Sequence, residues 1–392
     1  MSYDFTTLID RSHAGSEKWN LMRHIDPSVP EGIVPFSVAD MELKNPPELV
    51  EGLKKYIDTH ILGYSVPTQE YRRSVIGWME RRHGWKVDPE WIVNFDGVVP
   101  ALFTAVGAFT KPGEGVIYMP PVYRPIYHAI NSTGRRPEAV RLIEDESGYG
   151  IDFAALERVA ARPDVVMLIL CNPHNPVGRV WTKDELQRLG DICLANNVLV
   201  VSDEIHLDFV MPGHRHLVFS EVDPRFADRC LVCTAPSKTF NIAGLQVSNI
   251  MIPNSELRHR FIGENQKTGR YDVNQLGPVA CQIVYEQCEA WLDELLRLVH
   301  HNGDVVREFF ATHFPEVKMH DHQGTYCLWL DFRAWGLSNK ELEHFMVQKA
   351  RLFLNEGYGF GDGGDGFERI NVACPTRILE EGLARLLLQR GK

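Results

Sequence analysis

Several familiar site signatures are missing from this chain of 392 residues. Its best strand–glycine turn–helix candidate, residues 91–110, carries no G-x-G-x-x-G, and no Gly-Lys-Ser/Thr closes a phosphate loop anywhere. The dinucleotide fingerprint and the P-loop are therefore excluded. No run of about 18 apolar residues exists, so no membrane-spanning helix is expected. The first residues, Met1-Ser2-Tyr3-Asp4-Phe5, have neither a basic region nor an apolar core, so no signal peptide is expected. Basic charge is in deficit: 41 Lys and Arg face 52 Asp and Glu, a formal net charge of −11. That balance argues against nucleic acid or an anionic membrane as partner. Cys230 and Cys233 form a C-x-x-C, but no second Cys or His pair stands at ligand spacing. Core packing is the expected role for the eight cysteines, and a cytoplasm-like, reducing compartment follows. Internal repeats and long low-complexity segments are also lacking.

Hydrophobic residues make up 44% and charged residues 24%, an ordinary soluble balance in a chain long enough for two domains. Residues 1–47 read as irregular, with prolines at 27, 30, 35, 46 and 47. Within them Val34 to Met41 is either an extended arm or a pocket lining. Helices are expected from Pro47 and from about Glu70 to His83, separated by a loop with Gly63 and Tyr64 at its tip. Next come three apolar runs, Val116–Met119, Val165–Leu170 and Val198–Val201, alternating with helical stretches such as Lys183–Ala195. Continuous apolar strands separated by helices imply a parallel sheet covered on both faces. Asn274 to about Phe314 reads as one or two long helices joining two domains. A strand (Tyr326–Phe332), a helix (Asn339–Lys349), a glycine-dense loop (Asn355–Gly364) and a last helix from Leu379 complete a smaller α+β unit.

In parallel sheets ligands bind beyond the carboxyl ends of the strands. The unusual polar residues cluster at such ends. Lys238 sits in Thr234-Ala235-Pro236-Ser237-Lys238-Thr239-Phe240-Asn241, just past an apolar strand. A lysine among small and apolar neighbours is costly unless paired or neutralised, and an imine to an aldehyde cofactor is one solution. Asp203 ends another apolar run. It suits a carboxylate that keeps a pyridine nitrogen protonated; it also suits a helix N-cap. Asn175, between Asn172-Pro173 and Pro176, could donate to a phenolic oxygen or simply serve the turn. His206 follows Asp203 by three residues and could buttress a ring, although a structural histidine is the plainer reading. Tyr123 could stack on a ring. Gly97 opens a helix whose free N–H groups suit a phosphate.

Together these residues resemble the aminotransferase class I/II superfamily, the fold type I pyridoxal-phosphate enzymes. The runs that carry the likeness are Asn172-Pro173-His174-Asn175-Pro176-Val177-Gly178, Ser202-Asp203-Glu204-Ile205-His206 and Ser237-Lys238-Thr239. A narrower likeness, to the cystathionine β-lyase/cystalysin-type C–S lyases, rests on Val38-Ala39-Asp40-Met41, Gly63-Tyr64, the continuation Phe240-Asn241-Ile242-Ala243-Gly244-Leu245, and Arg369-Ile370-Asn371-Val372-Ala373-Cys374-Pro375. It spans essentially the whole chain in order. One departure is Thr376, where that family often has arginine.

The resemblance implies a large domain with a mostly parallel seven-stranded sheet and a smaller α+β domain. Residues 1–47 form an N-terminal arm and part of the small domain, 48–288 the large domain and 289–392 the small C-terminal domain. It implies that pyridoxal 5'-phosphate is bound covalently by Lys238, with Asp203 on the pyridine nitrogen, Asn175 on the ring oxygen and Tyr123 stacked. Gly97, Val98, Val99 and Ser237 serve the phosphate, and His206 supports the ring. Arg369 clamps the substrate α-carboxylate, with Ala39 and Tyr64 also on the substrate side. Tyr64 reaches the phosphate of a neighbouring subunit in a homodimer. The implied reaction is α,β-elimination of cystathionine or a related cysteine S-conjugate to thiol, pyruvate and ammonia. Transamination of a small amino acid shares most of these residues and is the alternative, as is a cofactor-holding protein with a regulatory partner. A distal carboxylate clamp is not evident; Arg270 is the one candidate.

Overall fold

The computed structural model describes residues 3–269 and 273–389. Arg270 lies outside the described residues. Nine strands precede residue 252: β1 (Ile92–Phe95), β2 (Gly115–Tyr118), β3 (Arg136–Ala139), β4 (Ile143–Asp145), β5 (Gly148–Gly150), β6 (Val165–Cys171), β7 (Leu199–Asp203), β8 (Cys230–Thr234) and β9 (Ser248–Met251). Seven of them form one sheet in the order β1-β9-β8-β7-β6-β2-β3. Pairing is parallel from β8 through β3, and β9 runs antiparallel to both β1 and β8. The strands β4 and β5 form a separate hairpin.

The central strand β6 is apolar at every position because both faces are covered. Along β6, Leu168 and Leu170 enter one core cluster while Met167, Ile169 and Cys171 enter another. That alternation is the two-residue period of a strand serving two layers at once. The helix Val98–Phe109 packs on the second cluster and Lys183–Ala195 on the first. A capping box fixes the start of the latter, with Thr182 accepting from Glu185 N and the Glu185 carboxylate accepting from Thr182 N.

A second sheet, β10 (Lys318–Met319), β11 (Cys327–Asp331), β12 (Asn355–Glu356) and β13 (Phe367–Asn371), is antiparallel in the order β10-β11-β13-β12. Two helices, Leu276–Gln287 and Glu289–His313, lead into it. The last helix starts at Thr376, a turn before the expected Leu379, because Pro375 is preset for the residue before a helix and Thr376 ties back to Asn302 Oδ1 at 2.7 Å.

Residues 1–47 are less irregular than their prolines suggest. A helix, Glu17–Ile25, fits entirely before Pro27 and buries Trp19 and Met22. Beyond it the chain crosses to the second sheet: Phe36 N donates to Phe353 O (2.8 Å), Asn371 N to Phe36 O (2.9 Å) and Glu42 N to Ala373 O (3.0 Å). The segment 34–42 is thereby held between the two sheets. All eight cysteines are buried and free, in agreement with packing as their role. Among the described residues no helix is long and apolar enough to cross a membrane.

Candidate active site

The carboxyl ends of β1, β6, β7 and β8 converge on one buried locus. Lys238 lies in a single helical turn, Pro236–Thr239, that follows β8. Its Nζ donates to the carbonyl of Ala39 at 2.6 Å. Burial pushes the Lys238 amine below its ordinary value, opposed chiefly by the charge of Asp40. The Tyr326 hydroxyl donates to the same carbonyl at 2.7 Å. Ala39 therefore meets Lys238 through its backbone.

Two sequence runs hold each other in this geometry. Met41 N donates to Asn241 Oδ1 (2.9 Å) and Asn241 Nδ2 donates to Met41 O (3.0 Å). Asn45 Nδ2 donates to the carbonyls of Phe240 and Asn241. One residue from Ala39, Val38 has φ 45°. A β-branched residue there is strained by about 1–3 kcal/mol, and surrounding contacts must hold it. Asn355 Oδ1 accepts from Val38 N (2.9 Å), and Asn371 Nδ2 donates to the carbonyls of Val38 and Asp40.

Asp203 closes β7 and is buried, with no ion pair among the described residues. Its Oδ1 accepts from Ile205 N at 3.3 Å, and no helix starts there, so the N-cap alternative does not apply. Burial lifts its carboxyl to about 7, against smaller lowering by the Ile205 N–H and Lys238. Glu204 is turned away and ties down the following loop through Ser202, His216 and the Phe219 N–H. His206 is buried edge-on to Tyr326, and burial with Lys238 and Arg369 nearby drives its imidazole well below the ordinary value.

Arg369 is buried on β13. Nη1 donates to Asn175 Oδ1 (2.8 Å) and Nη2 to Asn355 Oδ1 (2.6 Å), while the guanidinium lies 4.8 Å from the Phe360 ring centre. With Oδ1 of Asn175 so engaged, its Nδ2 is left as a donor. Tyr123 N donates to Asn175 O (3.0 Å), which seats Tyr123 at the start of the helix Arg124–Asn131. Gly97, at φ 135°, precedes the helix Val98–Phe109, and the N–H groups of Val98 and Val99 open that helix without helical acceptors. Ser237 is half-buried beside Lys238. Tyr64 is not brought into this locus: its side chain is fully exposed, at 106% of the reference area.

Tyr326, Asn241, Asn355 and Asn371 are positioned here without having been singled out from the sequence. Asn371 stands in the run from Arg369 that carries the family likeness; Asn241 lies three residues past Lys238 and Asn355 opens the glycine-dense loop. Their roles are backbone hydrogen bonds across about 200 and 317 residues of separation, which no local pattern encodes. Asp208 was also missed; it accepts from Thr239 Oγ1 (2.7 Å) and Trp78 Nε1 (3.2 Å) and pairs with His83 (2.9 Å), anchoring the lysine turn from below.

A family model described as aminotransferase class I and II matches residues 31–386. Cystathionine beta-lyase PatB of Bacillus subtilis is 44% identical over 353 residues, covering 90% of this chain and 91% of its own length. Protein MalY of Escherichia coli is 30% identical over 98% of both chains. The structure of cystalysin from Treponema denticola, which contains pyridoxal 5'-phosphate, superposes with a TM-score of 0.98 at 49% identity, over 99% of this chain and 98% of that one.

The residues fit pyridoxal 5'-phosphate. A buried acid with no ion pair among the described residues, a half-buried amine lowered in basicity, and open helix N–H groups past the end of β1, on the same edge of the sheet, are the complements of its ring nitrogen, aldehyde and phosphate. Buried Arg369 Nε and His206 Nδ1 have no hydrogen-bond partner among the described residues.

Asp203 sets a measurable pH dependence. An acid raised in the folded state binds more protons folded than unfolded between about pH 4 and pH 7, so folding stability falls as pH rises through that window. Cofactor-free Asp203→Asn lacks this loss. Relative to cofactor-free wild type it should gain about 2–4 kcal/mol between about pH 4 and about pH 8. Urea midpoints at the two pH values measure this; a difference that stays constant would show that Asp203 is not held in a raised state.

Proposed function

The chain belongs to the aminotransferase class I and II family, and on that premise we propose that it is a pyridoxal-phosphate-dependent carbon–sulfur β-lyase. Its substrates are cystathionine or related cysteine S-conjugates, which it converts with water to a thiol, pyruvate and ammonia. The observation that carries the reading is likeness over nearly the whole chain to proteins named cystathionine beta-lyase and cystalysin, joined to a site with every group the reaction needs.

Pyridoxal phosphate, when bound, supplies an aldehyde that takes up amines and a protonated ring that withdraws electrons from the substrate Cα. The protein supplies the rest. Lys238 Nζ is the base that removes the Cα proton. Its burial keeps the amine below its ordinary value, so a larger fraction is free to accept a proton near neutral pH. The carbonyl of Ala39 and the Tyr326 hydroxyl fix where that amine rests. Asp203 would hold the proton on the ring nitrogen, and a cation there would relieve its own burial cost. Asn175 Nδ2 would serve the ring oxygen, and the N–H groups of Val98 and Val99, with Ser237, the phosphate. Tyr123 and His206 would support the ring. Arg369, its fork preset by Asn175 and Asn355, binds the substrate α-carboxylate. Departure of the Cβ thiolate then completes the elimination.

Tyr64 belongs to this scheme through a second copy of the chain. Around it Ile57, Ile61, Leu62 and Val66 are also exposed, beside a cleft of about 470 Å³ that includes Tyr56 and Val66. An apolar strip of this kind supports a homodimer in which each copy presents Tyr64 to its neighbour's phosphate site. Buried, unpaired cysteines are in keeping with a cytoplasmic location.

Pyruvate release from cystathionine, measured with and without an added α-keto acid, tests the reaction. A lyase forms pyruvate at the same rate in both. Product that appears only with the keto acid, and as the keto analogue of the substrate, would make the protein an aminotransferase. Subunit mixing tests the dimer. Tyr64→Ala and Lys238→Ala proteins, each nearly inactive, should regain about a quarter of wild-type rate after exchange, because about half of the dimers are mixed and each has one intact site. No recovery after demonstrated exchange would place Tyr64 in its own chain's site or in none.

A further inference from the structure

The loop that carries the Ala39 carbonyl is gripped from behind by four charges that the reaction scheme does not use. Asp40 and Glu42 lie on the loop; Arg11 and Lys18 come from the N-terminal arm. Arg11 Nη2 meets Asp40 Oδ2 at 2.6 Å and Nη1 meets Glu42 Oε1 at 2.9 Å. Lys18 Nζ lies 3.1 Å from Asp40 Oδ1 and 3.4 Å from Glu42 Oε1, and also donates to the Asp40 carbonyl at 2.8 Å. The Lys18 side chain is 1% exposed and that of Glu42 2%. Trp19 Nε1 adds a bond to Glu42 Oε2 at 3.2 Å.

Burying the charges of Lys18 and Glu42, with Arg11 and Asp40 half-buried beside them, is costly and seldom stabilises a fold better than apolar packing would. Their position suggests another use. Asp40 follows the residue whose carbonyl receives Lys238 Nζ. It is also the acid acting most strongly in favour of a charged Lys238, ahead of Cys327 and Asp203, while Arg369 acts against. Burial opposes the Asp40 charge, but Lys18 and Arg11 outweigh it and keep the carboxyl below the usual range. Asp40 therefore stays ionised throughout the pH range in which Lys238 works.

We propose that Asp40, clamped by Arg11 and Lys18, is a positioning residue for Lys238, acting on its amine by charge and through the Ala39 carbonyl that its own backbone anchors. The N-terminal arm is then a working part of the site. It fixes the strained Val38–Asp40 turn and sets how much negative charge the amine feels. The groups that face Lys238 in this arrangement are Asp40, Asp203, Cys327, Arg369, His206 and the Tyr326 hydroxyl.

This inference rests on Lys238 being the amine that holds the cofactor, and the experiment separates the two claims. The absorbance of cofactor-loaded full-length wild type, Asp40→Asn and Arg11→Gln is titrated with pH, with no turnover. In parallel the cofactor-free chains are trace-labelled with an acylating reagent across pH, and the peptide carrying Lys238 is quantified. Asp40→Asn keeps shape and removes charge, so both midpoints should fall by about 0.5 pH unit or more. Arg11→Gln removes a cation beside Asp40, so both should rise. Asp40→Glu restores the charge and should return the midpoints toward wild type. A purely structural role would move Asn and Gln variants in the same direction or leave both unchanged, and either result overturns the inference. Wild-type protein whose Lys238 peptide labels equally with and without cofactor would instead remove the role of Lys238 itself.

Discussion

The Lys238 amine is withdrawn from water on a half-buried side chain, and a desolvated amine must be satisfied. That requirement organises the structure around it. One backbone carbonyl, that of Ala39, takes the amine's hydrogen bond, and it directly follows Val38, which holds a left-handed conformation. The strain is held by Asn355 and Asn371 from the second sheet, by Asn241 from the lysine's own loop, and by Lys18 from the N-terminal arm. Three parts of the chain that are far apart in sequence therefore fold onto one peptide unit. The two sheets, with the segment 34–42 between them, frame the site.

Charge is distributed to the same end. Asp203 is an acid at the end of β7, raised by burial and with no ion pair among the described residues. Asp40 is an acid held ionised by two cations. The pair flank the lysine with opposite tendencies: one ready for a positive ring, the other already balanced. Arg369 is in turn oriented by two asparagine oxygens rather than by a carboxylate, so its full positive charge remains for an incoming anion. An acid in either asparagine's place would tie up that charge and leave less of it for an incoming anion.

Much of this was legible in the sequence. The apolar runs of β6, β7 and β8 announced a covered parallel sheet, and the polar residues at their ends, Asn175, Asp203 and Lys238, marked the edge of that sheet on which the candidate site was expected. Arg369, Tyr64 and Ala39 entered through family resemblance, since nothing in their local pattern distinguishes them. The short helix Glu17–Ile25 was missed because the prolines that follow it dominated the reading of the arm. The antiparallel course of β9 was invisible for a different reason: strand direction is a property of pairing, and Ser248–Met251 looks the same either way. Least visible were the side chains that work on backbone atoms at long range, such as Asn371 and Tyr326. Their contacts reach across 333 and 287 residues to a loop of three.

The central claim is that Lys238 is the amine through which the cofactor is held. Borohydride reduction of the loaded protein, followed by digestion and mass spectrometry, measures this directly. The account predicts one peptide, containing Ser237-Lys238-Thr239, that carries the reduced pyridoxyl group at Lys238, at about one per chain. A pyridoxyl group on a different lysine, or cofactor lost entirely on denaturation after reduction, would contradict it.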